Sequence, residues 1–184
     1  MTTFSSMFDI ERGREVPLEK RDIVAAIVRK LEHEVALPIC RKFSLRYSLL
    51  GECHPNARKA GITLREKIMG FSTENPRYLY SVRVRIRSRT APQKTMLSRG
   101  THLAVLLHEL AHLRHMNHGR EFALFLRDIY RFACRELKLF EKCLVNQIPS
   151  PWAWERRIWE SRGEVSDEEL LDLHQAWMDS GISV

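Results

Sequence analysis

The stretch His-Glu-Leu-Ala-His at residues 108–112 decides how the rest of the sequence is interpreted. Histidines four residues apart lie on one face of a helix, so their imidazole rings can meet at a single cation. Neutral imidazole binds zinc at about 2.0–2.1 Å, and a hydrolytic zinc site keeps one position open for water. Glu109 is offset from His108 by about 100° around the helix, which places its carboxylate beside that water as a general base. The motif therefore predicts a zinc metallopeptidase with His108 and His112 as ligands.

The surroundings of this motif are strongly apolar. Five leucines recur at helical spacing through it and predict a helix over about 96–117: Leu103, Leu106, Leu107, Leu110 and Leu113. Two histidines and a glutamate are costly to bury in such a helix unless they have partners, and this favours a metal site. A second helix over about 119–133 is predicted to pack behind the first.

The third metal ligand is open between several candidates. His115 lies on the same helical face as His108. On one straight helix, however, the first and the last of three such ligands would stand about 10 Å apart along the axis. His118 precedes Gly119, where the chain can turn and bring the imidazole in from another direction. The spacing favours His118, with His115 or a remote carboxylate or histidine as alternatives. His102 is predicted to lie on the helix surface, and Cys53 is a candidate for an extra metal contact.

The segments before the motif predict further helices and a small sheet. Apolar spacing predicts a helix that begins at about residue 17 and includes Leu31, and Pro38 is expected to break this run before a short helix over 39–43. Strands are predicted over 44–50, 61–66 and 78–87. The last alternates, with Tyr80, Val82, Val84 and Ile86 on one face and Ser81 and arginines on the other. This pattern predicts one buried face and one wet face.

Length and composition fit one main domain. The 184 residues, 44% of them hydrophobic, are enough for a packed core. We predict a metalloprotease domain over 1–148, and a tryptophan-rich segment with an acidic C-terminal helix over 149–184. No stretch has the length of a membrane span or the pattern of a secretory signal, so a nuclear or cytoplasmic protein without a membrane partner is expected. The four cysteines, which form no CxxC pair, are expected to be free thiols.

Charge is distributed unevenly along the chain. Residues 1–140 hold 26 Lys and Arg against 14 Asp and Glu, whereas residues 141–184 hold 4 against 9. Four arginines on alternate positions could form a basic stripe that contacts nucleic acid: Arg83, Arg85, Arg87 and Arg89. The alternative for these arginines is an ordinary solvated sheet face.

Several of these segments together resemble one protein family. The arginine-rich strand is followed by the HELAH motif, then by His118 six residues after His112, and then by Phe122. Upstream lie Leu-Leu-Gly-Glu-Cys-His-Pro at 49–55 and Gly-Ile-Thr-Leu at 61–64. This order, over about residues 20–140, resembles the WLM metalloproteases, which are relatives of the SprT-like proteases. The resemblance implies an α+β, zincin-like fold, in which a small mixed sheet packs on the HExxH helix, with a helical C-terminal part.

The same resemblance implies roles for the site residues and a class of substrate. His108, His112 and His118 become zinc ligands and Glu109 the catalytic base. Characterised members of the family cut proteins trapped covalently on DNA and are activated by DNA, which implies protein substrates, DNA as a further partner and a role in DNA repair. This chain lacks the Gly-Pro that family members often carry before the third histidine. Motifs for an ATPase or a ubiquitin-like modifier partner are not evident either.

Two other functions are compatible with the sequence. One is a general zinc peptidase with no role for nucleic acid. The other is an inactive binding module that zinc stabilises. The intact Glu109 argues against the inactive module, because a purely structural zinc site has no use for a base and is closed by four protein ligands.

Overall fold

The computed structural model describes residues 8–9, 14–15, 20–54, 59–71, 73–87 and 96–139. The helices are α1 (Arg21–Leu31), α2 (Leu37–Phe43), α3 (Arg99–His112) and α4 (Arg120–Arg135). The strands are β1 (Phe8–Asp9), β2 (Arg14–Glu15), β3 (Leu49–Glu52), β4 (Gly61–Lys67) and β5 (Tyr78–Val84). No helix in this part of the chain is long and apolar enough to cross a bilayer. The predicted C-terminal helix, the tryptophan-rich segment, Arg89 and Cys143 lie outside the described residues.

The predicted break at Pro38 is wrong. Helices α1 and α2 are joined by a π-helical turn, Glu32–Ala36, and the chain stays helical from 21 to 43. At the end of this turn the Leu37 N–H bonds to the Glu32 carbonyl five residues back, and Pro38 then falls in the first turn of α2. A proline is tolerated there because the first N–H groups of a helix have no partner inside it. The wider turn thus restarts the hydrogen-bond pattern just where proline would have interrupted it.

Three strands form a mixed sheet in the order β3-β5-β4. Strand β5 pairs in parallel with β3, where Leu50 faces Val82, and antiparallel with β4, where Thr63 also faces Val82. The predictions for β4 and for most of β5 are confirmed. The prediction of a strand over 44–50 is wrong for its first half, since Ser44 ends α2 in the left-handed conformation and β3 begins at Leu49. Strands β1 and β2 form a separate antiparallel pair.

Helix α3 lies at the centre of the core. It begins at the N-cap Ser98, whose hydroxyl accepts a hydrogen bond from the Thr101 N–H at 3.2 Å, and all residues from 102 to 112 are buried. The helix ends at His112, five residues earlier than predicted. Gly119 then serves as the N-cap of α4, which buries one apolar face against the core through Phe122, Phe125, Leu126, Ile129, Tyr130 and Ala133.

The prediction of a wet arginine face on the strand over 78–87 is wrong. Arg83, Arg85 and Arg87 are 2%, 8% and 0% exposed. Arg87 Nε lies 2.9 Å from a Glu52 carboxylate oxygen, while Arg85 donates to the Lys59 carbonyl at 2.8 Å. Alternation along a strand fixes which side chains share a face, but it does not reveal whether something covers that face. Burial of these three guanidinium groups does not fit the predicted basic stripe on a solvated face.

At the coarse level, the predicted fold class is confirmed. The described chain is mixed α+β, with a small three-stranded sheet and four helices. Helix α3 contacts β4, β5 and α4. Its HELAH segment contacts β4 through Glu109, and it contacts α4 through His108 and His112. Among the described residues, Cys40, Cys53 and Cys134 form no disulfide bond.

The buried Arg87–Glu52 pair generates a testable prediction. Replacing Arg87 by Met should cost about 3–5 kcal/mol of unfolding free energy at pH 8, because the Glu52 carboxylate stays buried without this guanidinium. Burial raises the pKa of Glu52 to about 7, although Arg87 opposes the rise. Above that pKa the carboxyl is charged, and below it a proton removes the charge. The cost of Arg87→Met should therefore be smaller at pH 5 than at pH 8.

Urea unfolding at both pH values checks this, with chelator present throughout. Arg41→Met, at an exposed position of α2, is the control and should cost less than about 0.5 kcal/mol. An equal loss for the two variants, or a loss at Arg87 that does not depend on pH, would contradict the pairing.

Candidate metal centre

Three imidazole rings converge at the C-terminal end of α3. The helix places His108 and His112 one turn apart, and the turn between α3 and α4 brings His118 back toward them. The three Nε2 atoms form a nearly equilateral triangle, with distances of 3.0 Å for His108–His118, 3.1 Å for His108–His112 and 3.1 Å for His112–His118. Among the residues that the structure describes, these three form the one group of His, Cys, Asp or Glu side chains that could hold a metal ion.

The geometry of this triangle fits a small cation. Ligands of a tetrahedral zinc ion at about 2.0–2.1 Å stand about 3.4 Å from one another. The observed separations of 3.0–3.1 Å are slightly shorter and require only a small outward movement of the rings. All three donors are imidazole nitrogens, which suit zinc and other divalent transition metals and not magnesium or calcium.

The protonation of His112 also fits a ligand. Its Nδ1 lies 2.9 Å from the main-chain carbonyl oxygen of His115. A carbonyl only accepts hydrogen bonds, so Nδ1 carries the proton and the neutral ring has a lone pair on Nε2. The lone pair then points toward the other two histidines. A carbonyl that fixes the tautomer in this way is typical of histidines that bind metals.

The Phe122 ring packs against all three imidazole rings. It is fully buried in α4, and its ring centroid lies 5.0 Å from that of His108, 4.6 Å from that of His112 and 4.9 Å from that of His118. The aromatic ring restricts the rotamers of the imidazoles and excludes water from one side of the triangle. The sequence predicts an apolar position for Phe122 in the second helix, but no contact with the histidines. Its position in the first turn of α4, four residues after His118, is the signal that could have identified this role.

The alternative ligands lie elsewhere. The His115 side chain packs on Phe125 at 5.7 Å between ring centroids and points its Nδ1 toward Glu121 Oε2 at 3.7 Å. The main-chain carbonyl of His115 contacts Nδ1 of His112 and does not join the group of three Nε2 atoms. Cys53, buried just after β3, is not part of the histidine group, so the structure gives no basis for a metal contact there.

Glu109 is buried beside the triangle, with 2% of its surface exposed. The hydroxyl of Thr63 in β4 lies 2.8 Å from Glu109 Oε2 and also 2.8 Å from the Glu109 main-chain oxygen. Sequence reasoning did not single out Thr63. Because β4 lies far from α3 along the chain, no local pattern could have predicted the contact.

The prediction that His102 lies on the helix surface is wrong. His102 is 3% exposed and its Nε2 donates to the Ile86 carbonyl at 3.0 Å, which ties the start of α3 to the end of β5. Burial lowers the pKa of His102, because it disfavours the charged form. The neutral imidazole is therefore a structural link, six residues before His108.

No protein-family model matches this chain, and no curated protein or solved structure does so either. The function of this centre is therefore inferred from the geometry of its own residues.

The difference between His115 and His118 can be measured directly. His118→Ala should reduce the zinc content of the purified protein severely, because it removes one of three converging nitrogens. His115→Ala should retain about one zinc per chain, because its contribution is a main-chain oxygen that alanine keeps. Metal analysis of both variants after dialysis checks this. Equal loss in the two variants, or the reverse order, would place the third ligand elsewhere.

Proposed function

We propose that this protein is a zinc-dependent peptidase, in which His108, His112 and His118 hold the metal and Glu109 is the general base. The observation that carries the proposal is the triangle of three Nε2 atoms at 3.0–3.1 Å with a buried carboxylate on the next residue of the same helix. Zinc, when bound, polarises the carbonyl of the scissile peptide and makes water acidic enough to attack near neutral pH. The protein supplies the position for the metal and the groups that move protons.

Glu109 is suited to move those protons. It follows His108 directly on α3, and as a general base its carboxylate accepts a proton from the attacking water. The same carboxyl can then give that proton to the amine that leaves when the peptide bond breaks. Because Glu109 is buried, its charge acts in surroundings of low polarity, where electrostatic effects are strong. A carboxylate at this depth needs partners, and Thr63 supplies one of them.

The number and type of ligands support a hydrolytic site over a structural one. Structural zinc sites are closed by four protein ligands, most of them cysteines, whereas hydrolytic sites use three and keep one position open. In the described part of the chain, the group consists of three histidines and no fourth ligand. His118 is only partly buried, in contrast to His108 and His112, so the triangle has one side nearer the surface. A substrate could approach from that side.

The proposal also covers the type of fold and the class of substrate. A mixed sheet packed on the helix with the HELAH motif supports a zincin-like arrangement, in keeping with the resemblance to the WLM metalloproteases. Proteins associated with DNA stay a predicted class of substrate. Three of the four arginines proposed to contact DNA are buried, and Arg89 lies outside the described residues. The proposal is therefore restricted to peptide hydrolysis.

Glu109→Gln separates metal binding from chemistry. The variant should keep about one zinc per chain, because the three imidazoles are unchanged, and should lose at least about 100-fold in the rate of peptide cleavage, since an amide cannot act as a base. Cleavage of unfolded casein and of the protein itself, with zinc analysed on the same samples, measures both quantities.

The matched control is Glu121→Gln, at a carboxylate of α4 whose side chain is 86% exposed. It should retain full activity and full zinc content. Loss of zinc in Glu109→Gln would mean that Glu109 is itself a ligand. A zinc-loaded wild-type protein that cleaves nothing would favour the inactive binding module.

A further inference from the structure

Strand β4 touches Glu109 at two points. The Thr63 hydroxyl lies 2.8 Å from both Oε2 and the main-chain oxygen of Glu109. Gly61, two residues earlier on the same face of the strand, lies so close to Glu109 that an added Cβ would stand 2.5 Å from Oε1 and 2.6 Å from Cγ. The strand therefore contacts both carboxylate oxygens, through a hydroxyl on one side and a bare backbone on the other.

The hydroxyl favours the carboxylate over the carbonyl. Thr63 has one hydroxyl hydrogen and can donate it to only one of its two neighbours at a time. Both oxygens are at the same distance, but hydrogen bonds to an ionised acceptor are roughly twice as strong as those to a neutral one. The hydrogen therefore points at Glu109 Oε2 when the carboxylate is charged. Thr63 itself is 8% exposed, so water does not compete effectively for this bond.

Gly61 determines how close the strand can come. A side chain at this position would also meet Val105 Cγ1 at 2.7 Å, so any larger residue would push β4 away from α3. Only with glycine there can Thr63 reach 2.8 Å from the carboxylate. The glycine and the threonine thus act together, and their spacing of two places both on the face of β4 that lies against α3.

We propose that Thr63 is a positioning residue for Glu109, which fixes the carboxylate by binding Oε2 while the Gly61 backbone confines Oε1. This inference rests on the proposed peptidase function. Thr63 neither binds the metal nor exchanges protons with the substrate. It holds the base in one orientation, and an error of about 1 Å in the position of a reacting group can cost about 100-fold in rate.

Two variants of Thr63 separate its hydroxyl from its shape. Thr63→Val replaces the hydroxyl by a methyl group of similar volume, and Thr63→Ser keeps the hydroxyl. We expect kcat to fall about 10- to 100-fold in Thr63→Val, with KM within about 2-fold of wild type, because the base is misplaced while substrate binding is unaffected. Thr63→Ser should stay within about 3-fold of wild type in kcat. All three proteins should contain the same amount of zinc.

A second measurement requires neither metal nor activity. Urea unfolding midpoints are determined in chelator for wild type, Thr63→Val, Glu109→Gln and the double variant. The shift caused by Thr63→Val should shrink to about half when Glu109 is replaced by Gln, because the bond to a neutral amide oxygen is weaker than the bond to a carboxylate. A threonine that only fills space would produce the same shift in both backgrounds.

The two measurements fail in distinguishable ways. If the wild-type protein has no peptidase activity, the proposed function is wrong, and the unfolding cycle still decides whether Thr63 binds the carboxylate. Equal shifts in the two backgrounds would overturn the pairing. A wild-type kcat in Thr63→Val, or a loss in Thr63→Ser as large as in Thr63→Val, would overturn the positioning role.

Discussion

Helix α3 carries imidazole rings and a carboxylate at positions where water hardly reaches them, and each such group needs a polar partner inside the protein. The partners come from three different segments of the chain. The Ile86 carbonyl after β5 accepts from His102, Thr63 of β4 binds Glu109, and the carbonyl of His115 in the following turn orients His112. An all-apolar helix at the same place would pack without these contacts, but neither the register of β4 nor the course of the turn after α3 would then be so closely specified.

The same contacts explain how distant segments form one site. Gly61 lets the strand approach the helix, and Phe122 brings the start of α4 under the three imidazoles. Between these two supports, the turn after His112 returns the chain so that His118 completes the triangle. Rings packed on a buried aromatic side chain lose little further freedom when a cation binds. A preorganised site of this kind favours metal affinity and keeps Glu109, the proposed base, in a constant position.

Much of this arrangement could be predicted from the sequence, and the failures have physical causes. Helical spacing placed His108, Glu109 and His112 together, because an i, i+4 pair depends only on local geometry. Strand β4 was predicted from the turn-rich residues before it, and helix α4 from the spacing of its apolar residues. By contrast, the sequence predicts that Pro38 breaks the helix, whereas a π-helical turn continues it. This failed because the alternative hydrogen-bond pattern leaves no mark in the sequence. The buried arginines and the Thr63–Glu109 bond depend on tertiary contacts, which alternation and spacing cannot reveal.

The central claim is that three imidazole nitrogens hold one zinc ion. X-ray absorption at the zinc edge of the purified, zinc-loaded protein tests it most directly, since the method counts ligands by element and distance. We expect about three nitrogen ligands at about 2.0–2.1 Å with the outer-shell scattering of three imidazole rings, one further light atom, and no sulfur. A sulfur ligand at about 2.3 Å, fewer than three imidazoles, or a protein that binds no zinc would contradict it.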